Sequence, residues 1–173
     1  MKKLVFTAII IVTQCALAAT KQDSCALPAG LSEEISRKYP GTSPTRLSDL
    51  DQYNRALFRA DHGYQCPGLI SVNFYGNEAS TWALALITRD QSKRNAKLVI
   101  ARKVGTAWEI KTLDAAEAAT PVIWREAPGM YTDVYGEKTV RAIHPAIVFA
   151  EYESWAILYV WTGDHVEKIW ISD

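Results

Sequence analysis

From residue 69 onward the apolar positions of this chain recur with a period of two, the spacing at which successive side chains of a strand face opposite ways. Ile70, Val72 and Phe74 alternate with Ser71, Asn73 and Tyr75, which predicts a strand with one buried face, and Gly76-Asn77 supplies a turn. Residues 81–87 are apolar on both faces, with Trp82, Leu84 and Leu86 opposite Ala83 and Ala85, the pattern of a central strand. Residues 97–103 return through Leu98, Val99 and Ile100, and Gly105-Thr106 leads into Trp108, Ile110 and Thr112. These four segments read as a meander. An alanine-rich loop over 114–120 precedes a strand at 122–124, and Ala127-Pro128-Gly129 marks a turn. Strand-like segments at 140–144 and 146–151 flank Pro145, and residues 155–161 and 166–171 form a last hairpin closed by Thr162-Gly163-Asp164.

Before residue 66 the period lengthens. Leu31, Ile35 and Tyr39 are four apart and share a helical face that Pro40-Gly41 ends. A second helix is expected to begin at Ser48 as its cap, with Asp49 and Asp51 at the positive end of its dipole and Gly63 at its exit. Leu50, Tyr53, Leu57 and Phe58 form its apolar stripe. The class is therefore α+β: two N-terminal helices packed on a mainly antiparallel meander sheet of about seven or eight strands. Pro67-Gly68-Leu69-Ile70 followed by Thr81-Trp82-Ala83-Leu84 resembles Pro145-Ala146-Ile147-Val148 followed by Ser154-Trp155-Ala156-Ile157. A duplicated strand-hairpin unit and two independent buried strands both explain that echo.

Ahead of the helices, Met1-Lys2-Lys3, an apolar run over 4–12 and Ala16-Leu17-Ala18 have the three parts of a bacterial secretory signal. The run is too short for a membrane span, which needs about 20 apolar residues. Residues 1–18 are expected to be cleaved and 19–173 to form one soluble domain in the periplasm or outside the cell. The residues before Cys15 do not suit lipidation. Taking the two leader lysines from 19 basic residues, against 19 acidic, leaves a formal charge of −2, and the only dense basic stretch is Lys93-Arg94 with Lys97. No nucleic-acid footprint follows. Cys25 and Cys66 remain, an even pair in an oxidising compartment, and are expected to form a disulfide.

Catalytic motifs are sparse. His62, His144 and His165 have no second ligand at metal-binding spacing, so neither a metal nor another cofactor is expected, and no nucleophile elbow, phosphate loop or dinucleotide fingerprint occurs. The best acid pair is Glu151 and Glu153, two apart on one strand face beside Trp155, the arrangement a glycosidase would need. Two solvated carboxylates at a strand end explain the same spelling. The strand over 155–161 sets Trp155, Ile157, Tyr159 and Trp161 against Ala156, Leu158 and Val160. If helices cover the small-residue face, the aromatic face must meet a second layer, a partner or a sugar ring. Two turns, Tyr75-Gly76-Asn77-Glu78 and Tyr135-Gly136-Glu137-Lys138, each place an aromatic, a glycine and an acid at a tip suited to insertion into another protein.

In size, export signal and one disulfide on a sheet-rich domain, the chain resembles the small periplasmic proteins with which bacteria block cell-wall hydrolases, lysozyme inhibitors and immunity proteins among them. The resemblance is of architecture, and the inhibitory loops of known lysozyme inhibitors are absent, so no residue role carries over. The expected function is a binding protein of the envelope whose partner is a wall hydrolase or a secreted toxin. A small-ligand or glycan binder standing on Trp155, Tyr159 and Trp161 is the alternative, and a hydrolase centred on Glu151 and Glu153 ranks behind both.

Overall fold

A computed structural model describes residues 24–76, 80–90 and 95–172. The leader over 1–18, Glu78 at the first turn and the Lys93-Arg94 pair lie outside the described residues. In chain order the elements are α1 (Leu31–Lys38), β1 (Thr42–Pro44), α2 (Gln52–His62), β2 (Leu69–Val72), β3 (Thr81–Thr88), β4 (Ala96–Val104), β5 (Ala107–Ala116), β6 (Val122–Glu126), β7 (Gly129–Thr132), β8 (Thr139–Ala142), β9 (Ala146–Glu151), β10 (Trp155–Trp161) and β11 (Val166–Ser172).

The strands do not make one meander of seven or eight. Among the described residues they form a five-stranded, a four-stranded and a two-stranded sheet, with every pairing antiparallel. In the first sheet β2, β3, β4 and β5 follow one another as a meander, and β1 pairs with the stretch of β3 that β2 leaves open. The second runs β11-β10-β9-β6, and β7 with β8 is a separate hairpin. The three-residue β1 carries no period-two signal and ends in a proline. β5 continues through Leu113 to Ala116, where the alanines suggest a loop, because a register shift at Leu98/Val99 carries its pairing with β4 past Asp114.

The two larger sheets face each other. Ala83, Ala85 and Ile87 of β3, with Leu98 and Ile100 of β4, share one buried cluster with Ile123, Ile147, Phe149, Ile157 and Tyr159 of the second sheet. Each helix covers the outer face of a different sheet, so the pair does not lie on one sheet as its adjacency in the chain suggests. Leu31 and Ile35 of α1 bury with Leu84, Leu86, Val99 and Ala101, whereas Phe58 of α2 buries with Val122, Val148, Leu158 and Val160. An amphipathic stripe specifies that a helix face is buried and leaves open which sheet buries it. The Tyr159 hydroxyl on β10 donates to the Asp114 carboxylate on β5 and so spans the two sheets.

Gly63 closes α2 as expected, but the helix starts at Asp51 and not Ser48. The Asp51 carboxylate accepts from the Asn54 amide at 2.9 Å, while Asp49 accepts from the Arg46 amide at 2.7 Å and folds the preceding turn. Tyr53, expected in the buried stripe, is exposed. Cys25 and Cys66 are bridged with Cα atoms 5.0 Å apart, fastening the chain before α1 to the chain before β2.

Candidate functional site

The β7–β8 hairpin is an amphipathic arm. Period-two alternation turns Tyr131, Val140 and Ala142 toward the cluster under α2, while Met130, Thr132, Thr139 and Arg141 face solvent. Met130 stands opposite Arg141, and the Thr132 and Thr139 hydroxyls hydrogen-bond at 2.9 Å across the outer face. The arm's root is held by the Tyr131 hydroxyl, which donates to the Ala127 carbonyl.

The loop joining β7 to β8 is tied down at several points. The Asp133 carboxylate accepts from the Glu137 amide at 2.8 Å and the Lys138 amide at 3.2 Å, and the Gly136 amide donates to the Asp133 carbonyl at 3.0 Å. Gly136 has φ +74, a left-handed conformation glycine adopts without strain. The Val134 amide donates to the Trp170 carbonyl at 2.8 Å, and Lys138 pairs with Glu167, both partners lying on β11. Glu167 also accepts from His165 at 2.9 Å, and Asp164 flanks the same imidazole at 2.6 Å. Hydrogen bonds to Glu167 and then Asp164 raise the His165 pKa above its ordinary value, and hydrogen bonds from Lys138 and then His165 lower that of Glu167. The result is an ordered tip from which Tyr135 projects 63% exposed.

Val134 at that tip and Trp170 beside it are exposed as well, and at the root of the arm Met130 is 64% exposed and Ile143 is exposed. Among the described residues the large exposed apolar side chains outside this region are only Tyr53, Tyr64 and Val104. Large exposed apolar side chains concentrated on and beside one hairpin have the composition of a binding surface. Of these, the sequence pointed to Tyr135, with Glu137 and Lys138 beside it. Met130, Val134, Ile143 and Trp170 were missed.

The other sequence candidates fall elsewhere. Tyr75 does not stand free at a tip: its ring lies edge-on to Trp161 at 5.0 Å and under the Arg102 guanidinium at 5.2 Å, half-buried. Trp155, Ile157, Tyr159 and Trp161 face the other large sheet, with Tyr159 buried and Trp155 against Phe149 at 5.0 Å, so the three rings do not form one open floor, although Trp161 lines a surface cleft with Tyr75 and Arg102. Glu151 and Glu153 do not share a strand face. Glu151 ends β9 and accepts from the Ala119 amide at 2.8 Å, whereas Glu153 sits in the following turn at φ +57, exposed. Among the described residues no group of three or more His, Cys, Asp or Glu side chains could hold a metal ion, and no helix is long and apolar enough to cross a membrane.

The chain matches no family model, no curated protein and no solved structure.

Proposed function

We propose that the chain is an exported binding protein of the bacterial envelope, with residues 1–18 removed and the domain over 19–173 holding a protein partner on the β7–β8 arm. The observation that carries this is the concentration of exposed apolar side chains, Met130, Val134, Tyr135, Ile143 and Trp170, on and beside one hairpin whose tip is fixed by Asp133 and by the Lys138–Glu167 pair. Rigid aromatic anchors bind at low entropic cost because little freedom remains to be lost. The charged start and short apolar run of the leader support export. The Cys25–Cys66 bond suits an oxidising compartment. A wall hydrolase or a secreted toxin is the partner class that accords with this address, because a small stapled domain without catalytic motifs acts there by occupying another protein's surface.

Capture from envelope extract and from secretions of neighbouring strains tests the proposal, using the oxidised mature protein beside a Met130→Ser/Tyr135→Ser variant. One stoichiometric partner, held at least ~10-fold more weakly by the variant, is the expected result, since central aromatic and Met anchors each account for more than about 1 kcal/mol. A partner retained equally by the variant overturns the assignment to the arm. The absence of any specific partner overturns the binding-protein reading.

A further inference from the structure

An open cleft of about 550 Å³ lies where the edge of the first sheet meets the edge of the second, lined by residues of β2, β3, β6 and the end of α2. Its volume falls within the range of ligand pockets, about 300–1,000 Å³. Trp82 and Trp124 contribute two indoles to the wall. The Trp124 Nε1–H donates to the Glu126 carboxylate at 2.8 Å, which fixes the ring. His62 packs between Phe58, at 4.8 Å and tilted by 48°, and Trp124, at 5.1 Å and tilted by 30°. Among the described residues no group hydrogen-bonds to its ring nitrogens. Burial lowers the pKa of this imidazole, against the opposing charges of Asp61 and Glu126, so near neutral pH it can both donate and accept.

Arg125, at the same wall, is exposed and makes no ion pair among the described residues. Gln65 and Ser71 add neutral hydrogen-bonding groups. The frame is preformed: Cys66 at the wall is bridged to Cys25, and the Ile123 amide of β6 donates to the Pro67 carbonyl at 2.7 Å, tying β6 to the chain just before β2.

The geometry points to a binding site for a saccharide bearing a single carboxylate, with the sugar's apolar face on the Trp82 and Trp124 indoles and its carboxylate on the Arg125 guanidinium. A guanidinium fork takes a carboxylate in two parallel hydrogen bonds, and among the described residues Arg125 is the only cation or carboxylate lining the cleft. Asp61 and Glu126, near enough to act on His62, disfavour a polyanion such as a polyphosphate. Indoles interleaved with His62, Gln65 and Ser71 suit a ligand that has apolar faces and a hydroxyl-rich rim, which a flat aromatic acid lacks.

The test follows the indole N–H resonances of the mature oxidised protein, with Trp82→Phe and Trp124→Phe variants assigning the two signals. The titrants are the disaccharide of N-acetylglucosamine and N-acetylmuramic acid, which carries one carboxylate, the neutral disaccharide N,N′-diacetylchitobiose (chitobiose below), and benzoate. The acidic disaccharide is expected to shift both signals and to bind about tenfold more tightly than chitobiose, the usual scale of one charge-assisted hydrogen-bonding pair. Arg125→Gln should erase that difference while leaving chitobiose binding unchanged. Met130→Ser/Tyr135→Ser should bind like the wild type, so failure of this site and failure of the arm are distinguishable. No shift at either indole, equal binding of the two disaccharides, or benzoate binding as tightly as the acidic disaccharide would overturn the inference.

Discussion

Breaking the Cys25–Cys66 bond should cost this domain about 4 kcal/mol. The bridge closes a loop with a sequence separation of 41, which contains α1, β1 and α2. In the chain-entropy description, cross-linking a loop of that length removes about 13 cal/mol/K from the unfolded chain, or about 4 kcal/mol at 25 °C. Both half-cystines are buried, and both belong to the cluster that holds Leu31 and Ile35 against the first sheet. Reduction leaves that packing in place, so the loss acts on the unfolded state. For a domain of this size it corresponds to a fall of about 8–16 °C in melting temperature. Urea unfolding read by tryptophan fluorescence, oxidised against reduced, checks this, with a Cys25→Ala/Cys66→Ala variant as the control for residual oxidation. The denaturant slope should also rise on reduction, because the uncrosslinked chain exposes more surface when it unfolds. A loss below about 1 kcal/mol with an unchanged slope would refute the entropic reasoning.

Other consequences of the structure are open to direct measurement. A Cβ added at Gly68 would lie 2.3 Å from the Thr45 amide nitrogen, and the clash is with backbone that cannot swing away. Gly68→Ala should therefore cost about 2–3 kcal/mol, against about 1 kcal/mol of strain for Gly105→Ala, where φ is +60 and nothing lies within 4 Å; equal denaturation midpoints would contradict this. The buried Tyr152 hydroxyl has no hydrogen-bond partner among the described residues, and Tyr152→Phe should change stability by less than about 0.5 kcal/mol. Burial, with the Asp61 charge, pushes the Tyr152 pKa from 10.0 up to about 12. Ionisation therefore favours the unfolded chain, stability falls as pH rises from about 10 to about 12, and a pH series of melting curves should show less of that fall in the Phe variant. Histidine titration by NMR should place His62 below and His165 above the ordinary value of 6.5, so that the His165 pairing with Glu167 stabilises below 6.5 and fades as pH climbs through the raised midpoint. The reverse order would overturn the assigned environments.

Much of the local structure was legible because it is written in the period of apolar residues. Trp82, Leu84 and Leu86 set against Ala83 and Ala85 specify a strand covered on both sides, and the structure covers it with α1 on one side and the second sheet on the other. Cysteine count and leader were enough to pair Cys25 with Cys66. Layer order was not legible, since Leu31 and Phe58 advertise burial and not the surface that buries them. The Trp155 to Trp161 face shows the same limit. A face that must meet something fits a partner, a sugar or a second sheet equally well, and here the sheet fills it. The four residues of β7 fell below the length at which alternation is readable, which hid Met130. The cleft gathers His62, Gln65, Ser71, Trp82, Trp124 and Arg125 from segments far apart in the chain, and no spacing rule connects them.

The most direct test of the arm as the partner-binding surface is amide hydrogen exchange on the mature protein, free and saturated with the captured partner. Slowed exchange confined to residues 129–143, with Trp170 and its β11 neighbours, is the predicted footprint, and the cleft segments 62–71 and 124–125 should exchange as in the free protein. Protection that falls on those cleft segments while 129–143 exchanges unchanged would contradict the account.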